Sequence, residues 1–132
     1  MDLINYTDEQ GVKVHGIVSE LDINLTTDRN SVENLLKDLA ATEKLIKVAV
    51  KITTGSSVQQ ATRSQYVEQE NMYKWFVQSY MEHIPKERRA GVIFSSPTDA
   101  ANQNVAEGVW TNNAGYQRKP AYRGVLEALQ GK

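Results

Sequence analysis

An α/β domain of three strand–helix units, preceded by a short helix, is the fold class that the sequence predicts. Three observations predict it. Stretches rich in β-branched residues alternate with stretches of helical periodicity, glycine and proline mark the boundaries between them, and the second β-like stretch is short and apolar. Strands that alternate with helices at this spacing pair in parallel through right-handed crossovers, because a strand returning in the same direction needs a long connection.

Residues 2–10 read as a helix that ends at Gly11, a residue suited to the left-handed position after a helix. VKVHGIVSELDINL, residues 12–25, alternates as a strand, with Ile17, Ser19, Leu21 and Ile23 on one face and Glu20 with Asp22 on the other. Asn30 with Glu33 has the form of a capping box, and Val32, Leu35, Leu36, Leu39 and Ala40 then recur at helical spacing, so a helix is expected over residues 31–42. LIKVAVKIT, residues 45–53, suits a buried parallel strand that TTGSS then breaks. Tyr66, Met72, Tyr73, Phe76, Val77, Tyr80, Met81 and Ile84 form one broad stripe, predicting the longest helix, which Pro85 stops. AGVIFSS, residues 90–96, is the third strand, PTDAANQN reads as a loop, and Pro120 opens a last helix through Leu129. Parallel strands bind ligands at their carboxyl ends, which here means Asp22, Asn24, Thr53 and the stretch from Ser95 to Asp99.

The bulk properties narrow the function classes. A chain of 132 residues fits a single domain, residues 1–132, and 15 basic against 16 acidic residues give a net charge of −1. Such a balance provides no field to draw the chain onto nucleic acid or an anionic membrane. The absence of cysteine excludes disulfides, thiolate catalysis and cysteine-ligated zinc. His15 and His83 fall in different elements without metal-ligand spacing, so neither a metal nor a cofactor is expected. MDLINYTDEQG carries charges where a secretory peptide has its apolar core; no signal peptide is expected, and the localisation stays open.

The C-terminal part carries a family resemblance. GVIFSSPTDAA followed by GVWTNNAGYQRKPAYRGVLEAL resembles the end of glycoside hydrolase family 10, the endo-1,4-β-xylanases, in the form found in gut Bacteroidetes. Gly91, Thr98, Asp99, Gly108, Trp110, Tyr116, Arg118, Lys119, Pro120 and Tyr122 match its last-strand loop and the segment before its final helix. ENMYKWFVQSYMEHIPKERRAG, LAATEKLIK and INYTDEQGVKVHGI are similar to earlier stretches of that family in the same order. The resemblance implies strands six to eight of a TIM (β/α)₈ barrel with their helices, since a whole barrel needs about 200 residues or more. It also implies xylan as a partner and, from related members, a secreted, periplasmic or cell-surface setting.

Where the family keeps its chemistry, this chain departs from it. The nucleophilic Glu of the seventh strand falls on Val50, and no carboxylate lies between Lys44 and Thr53. On the sixth strand Asp22 stands for the active-site His and Glu20 for a Gln, while Ser95 stands for an active-site Trp on the last strand. The family's acid/base Glu belongs to a strand N-terminal to those matched here. Retaining glycosidases need two carboxyl groups about 5–5.5 Å apart. The expectation is therefore a xylanase-related pseudoenzyme, a polysaccharide-binding or interaction module, with Trp110, Asp22 and Asp99 as candidate substrate contacts. Tyr116 and Tyr122 either stack on sugar or pack the last helix, and Asp99 has a second role open to it as a brace for its loop.

The alternative is a fragment of an active or altered glycosidase that needs the missing N-terminal barrel half. Within it, Glu20 and Asp22 would form a substitute pair, about 6.5–7 Å apart as residues i and i+2 of a strand; otherwise they would pair with Lys47 or Lys51. Three βα units would leave sheet edges and an inner face uncovered. That predicts either a homo-oligomer through the edges or a rearrangement into a small layered sheet.

Overall fold

A computed structural model describes residues 2–99, 106–110 and 117–132. Along the chain run α1 (Asp2–Glu9), β1 (Gly16–Asn24), α2 (Arg29–Ala41), β2 (Leu45–Thr53), α3 (Arg63–His83), a 3₁₀ turn (Lys86–Arg88), β3 (Arg89–Phe94) and α4 (Pro120–Leu129). The strands form one open parallel sheet in the order β1-β2-β3.

Alternation along each strand gives the sheet two unlike faces. Ile23 of β1 and Ile46, Val48, Val50 and Ile52 of β2 are buried in one core with Leu36 and Leu39 of α2 and with Met72, Tyr73, Phe76 and Val77 of α3. The opposite face carries Val18, Glu20 and Asp22 beside Lys47, Ala49 and Lys51, in the register Glu20↔Ala49↔Ile93 and Asp22↔Lys51. No described helix covers that face, and Val18 and Ile93 remain 64% and 45% exposed on it.

Several boundaries differ from the sequence reading, among them the end of β3, at Phe94 rather than Ser96, and the starts of α2 and β1. Helix α2 starts earlier than the Asn30–Glu33 box implies: Asp28 is its N-cap, accepting from the Asn30 amide at 3.2 Å and the Ser31 hydroxyl at 2.8 Å. The chain has already turned there, because Asn24 Oδ1 accepts from the Thr26 amide and hydroxyl, both at 2.8 Å. Glu33 is thereby released to accept from Trp75 Nε1 at 3.1 Å across the α2–α3 contact. The capping box of this protein is at Thr62 and Gln65, where α3 begins. Strand β1 is shorter than residues 12–25, since Val14 ahead of it donates its amide to Asp8 Oδ1 rather than to a strand.

Helix α3 grips the sheet with polar groups as well as apolar ones. Between β2 and β3 the register slips from Ile46↔Arg89 to Lys47↔Gly91, leaving Ala90 unpaired in a bulge. The buried Tyr80 hydroxyl spans it, donating to Ile46 O at 2.6 Å and accepting from the Gly91 amide at 3.1 Å. Gly91 takes φ +126°, a value side-chain-bearing residues avoid. Helix α4 packs closely on α3, where a Cβ at Gly124 would lie 2.3 Å from Glu70 O. Arg123 beside it forks onto Glu70 at 2.6 and 2.9 Å.

Removing the Tyr80 hydroxyl leaves two buried backbone groups without their partner, so Tyr80→Phe should cost about 1–3 kcal/mol in urea denaturation. A loss near zero would mean that the bulge heals itself.

Helix α1 is fastened by a titratable contact. Asp8 accepts from Lys44 Nζ at 2.7 Å and from the Val14 amide, and these, Lys44 foremost, hold its carboxyl below the ordinary 3.8. Because the folded value lies below the unfolded one, this contribution is present above pH 3.8 and lost as pH falls through the folded value. Hydrogen exchange of the α1 amides should therefore quicken in acid, and in Lys44→Met it should be quick at neutral pH already. Equal exchange in the two proteins at pH 7 would rule the contact out as the fastening.

Candidate functional site

The carboxyl ends of the strands bring Asp22, Lys51 and Ser95 to one rim of the open face, and a returning segment, residues 106–110, adds Glu107. Lys51 stands between two carboxylates, 3.5 Å from Asp22 Oδ1 and 3.9 Å from Glu107 Oε2. Glu20 lies one pleat further from the rim, exposed and level with Ala49. The acids of β1 thus share a face as alternation requires, and Asp22 meets Lys51, one of the two lysines foreseen as partners.

Buried polar groups place residues 106–110. Gln69 donates to Ile52 O at 2.7 Å and Ala106 O at 3.3 Å, and Tyr73 donates its hydroxyl to Glu107 O at 2.7 Å. Burial pushes the Tyr73 phenol well above its ordinary pKa, so it stays protonated as that donor. From the other side, Asp99 Oδ1 accepts from the Glu107 and Gly108 amides, each at 3.1 Å, and from Lys119 Nζ at 2.8 Å. Gly108 is required because a Cβ would come within 2.3 Å of the Thr98 carbonyl carbon.

The Asp99 and Lys119 side chains are 1% and 3% exposed, so this ion pair is a buried one. Burial pushes the Lys119 ammonium below its ordinary pKa, and the hydrogen bond to Asp99 acts in the opposite direction. The Lys119 ammonium also lies 4.9 Å from the centre of the Tyr66 ring, whose phenol is pushed up by burial and then by the Asp99 charge. Asp99 therefore braces its loop. Its side chain, expected as a sugar contact, is enclosed in this structure.

Trp110 and Tyr122 meet edge to face at 5.2 Å, and the Arg118 guanidinium covers both rings, at 5.9 Å from Trp110 and 4.7 Å from Tyr122. Both rings are half-buried against the core, which is the packing role for Tyr122 and leaves Trp110 part of its surface. Tyr116 lies outside the described residues.

Val50 is fully buried on the helix-covered face. A side chain at that position points into the core under α3, and the β2 positions that reach the open face are Lys47, Ala49 and Lys51. None of them is a carboxylate. Glu107 escaped the sequence reading because a loop acid carries no periodicity; only folding brings it to Lys51. Among the described residues no group of three or more acids and histidines is arranged to hold a metal, and no helix is long and apolar enough to cross a membrane.

With this geometry in hand, the chain can be set beside known proteins. No protein-family model matches it. A curated relative, endo-1,4-β-xylanase A of Cellvibrio japonicus, is 38% identical over 69 residues, 48% of this chain and 11% of that protein. Among solved structures, a thermostable mutant of the xylanase Xyn10A from Cellvibrio japonicus is similar with a TM-score of 0.81 and 23% identity, over 98% of this chain and 44% of the other. The E385A mutant of xylanase 10C from Cellvibrio japonicus, solved with xylopentaose, gives a TM-score of 0.84 at 17% identity, over 99% of this chain and 30% of the other. The chain thus spans less than half of each of these proteins, and it has the fold of a fragment of a family 10 xylanase barrel. Its strands keep the arrangement of a barrel wall, which corrects the expectation of a rearranged layered sheet: the helices already satisfy one face, and parallel strands have no short route by which to fold back.

Replacing Asp99 by Asn leaves the Lys119 ammonium buried without its counter-charge. Asp99→Asn should cost about 3–5 kcal/mol in urea denaturation, and a second change, Lys119→Met, should recover much of it. A single-variant loss below about 1 kcal/mol would remove the pair from the account of this rim.

Proposed function

We propose that this chain is a xylanase-related module of glycoside hydrolase family 10, of the Bacteroidetes type, whose active-site positions have diverged and which contacts xylan without hydrolysing it. The observation that carries the reading is Lys51. On the face where a retaining glycosidase needs two carboxyl groups within about 5.5 Å, β2 presents a cation flanked by Asp22 and Glu107. Each of these carboxylates thus faces an ammonium rather than a second carboxyl group. Glu20 is exposed, one pleat away from the rim and level with Ala49. Polysaccharide contact would fall on the open face at Asp22 and on the free part of Trp110, and the solved relative holding xylopentaose supports a saccharide as the ligand class.

A second reading is favoured by the uncovered surfaces. The outer edges of β1 and β3 are unpaired within this sheet, and a cleft of about 330 Å³ beside β3, lined by Val77, Met81, Val92, Phe94, Val125 and Leu129, has the apolar character of a surface that another element covers. Under this reading the chain is the C-terminal part of a barrel whose activity requires the N-terminal half, and homo-oligomers through the edges are what it forms without that half.

The chain alone should release no reducing sugar from xylan while binding xylohexaose, and Glu20→Gln should change neither result. Turnover by the chain that Glu20→Gln abolishes would overturn the first reading. Sedimentation separates the second: self-association that rises with concentration supports uncovered edges, and a strict monomer across the range contradicts them.

A further inference from the structure

On the helix side of the sheet, a second cleft of about 520 Å³ opens between the first half of α3 and the start of α4. Its volume is within the range of small-molecule sites, roughly 300–1,000 Å³. Arg63, Arg118, Lys119 and Arg123 line it, against a single lining carboxylate, Glu70. Two of those cations are neutralised, Lys119 by Asp99 and Arg123 by its fork onto Glu70. Arg63 and Arg118 have no carboxylate partner among the described residues.

Each of the two is placed for binding an anion. Arg63 is the first residue of α3, where the helix dipole already presents positive charge, so an unpartnered guanidinium there is unfavourable until an anion joins it. The Arg118 guanidinium lies over the Tyr122 ring, 4.7 Å from its centre, and a guanidinium there has several N–H donors to offer a carboxylate. Between them the cleft has an apolar lining, with Val67 and Leu126 42% and 41% exposed beside Pro120. An inorganic anion has no use for that lining. A sugar ring bearing a carboxylate uses both parts, its C–H face on the apolar side chains and its carboxylate on a guanidinium fork.

We infer that this cleft is a binding site for the carboxylate of a uronic acid unit on a polysaccharide, adjoining Trp110 through Arg118 and Tyr122. The inference rests on the saccharide reading proposed above and names its acidic component. The site binds and does no chemistry.

Titration of the chain, followed by amide NMR and calorimetry, with a glucuronate-branched xylo-oligosaccharide, its neutral counterpart and sodium sulfate at matched ionic strength tests it. The acidic sugar should bind about tenfold tighter than the neutral one, as a charge-assisted hydrogen bond implies, and should move the amides of Arg63, Val67 and Leu126. Arg63→Gln and Arg118→Gln should each return its affinity to the neutral level. Arg63 is exposed in a first helical turn, so its variant keeps the fold if Arg118→Gln does not. Equal binding of acidic and neutral sugars, or sulfate as tight as the acidic sugar, overturns the site. Neutral sugar binding on the open face without acid preference would remove this inference and keep the saccharide reading; binding of neither sugar would remove both.

Discussion

The structure depends on how α3 is fixed to the sheet by buried polar side chains. Tyr80 holds the bulge between β2 and β3, while Tyr73 and Gln69 hold the far end of β2 and the returning segment at Ala106 and Glu107. Apolar contact alone is non-directional and would tolerate a helix shifted along its axis. Hydrogen bonds to named backbone groups at both ends of one strand do not, because a shift leaves buried carbonyls and amides unsatisfied. The same helix carries Glu70 toward α4, where Gly124 admits its backbone and Arg123 its carboxylate. Sheet, rim and last helix are thus referred to one element.

The rim depends in turn on the enclosed Asp99–Lys119 pair. Two charges taken out of water form a weak source of net stability, yet each is costly to leave alone, so the pair acts as a lock on the geometry around it. One oxygen of Asp99 also collects the amides of Glu107 and Gly108. That aims the Glu107 side chain at Lys51 on the open face. A residue matching the family pattern thus orders the loop that carries Glu107.

The two faces of the sheet set the limits on function. The covered face is complete, with its aliphatic side chains buried under α2 and α3. The open face mixes Val18 and Ile93 with Glu20, Asp22, Lys47 and Lys51, and Lys51 pairs with Asp22 there. In a closed barrel, side chains on that face pack against those of the other strands. In this structure Val18 and Ile93 are exposed on it, and β1 and β3 are the outer strands of the sheet. The cationic cleft between α3 and α4 owes nothing to closure, since both of its walls are helices of this chain.

Most of the fold was legible in the sequence, for a physical reason: periodicity and breakers act locally. The limits of β2 and α4 agree with LIKVAVKIT and with Pro120 through Leu129, because a short β-branched run closed by TTGSS and a proline at the first helical position leave little choice. The start of α2 was misread because Asp28 and Asn30 are both competent caps, and the turn made by Asn24 decided between them. Alternation by itself put Glu20 and Asp22 on one face. Only the tertiary structure showed that this is the uncovered face, that Val50 points away from it, and that Lys51, Asp22 and Glu107 meet there. It alone buried Asp99 against Lys119 and set Arg63 across a cleft from Arg118. Such pairings join residues far apart in the chain, and their partners are fixed by the packing of α3 and α4 rather than by any pattern along the sequence.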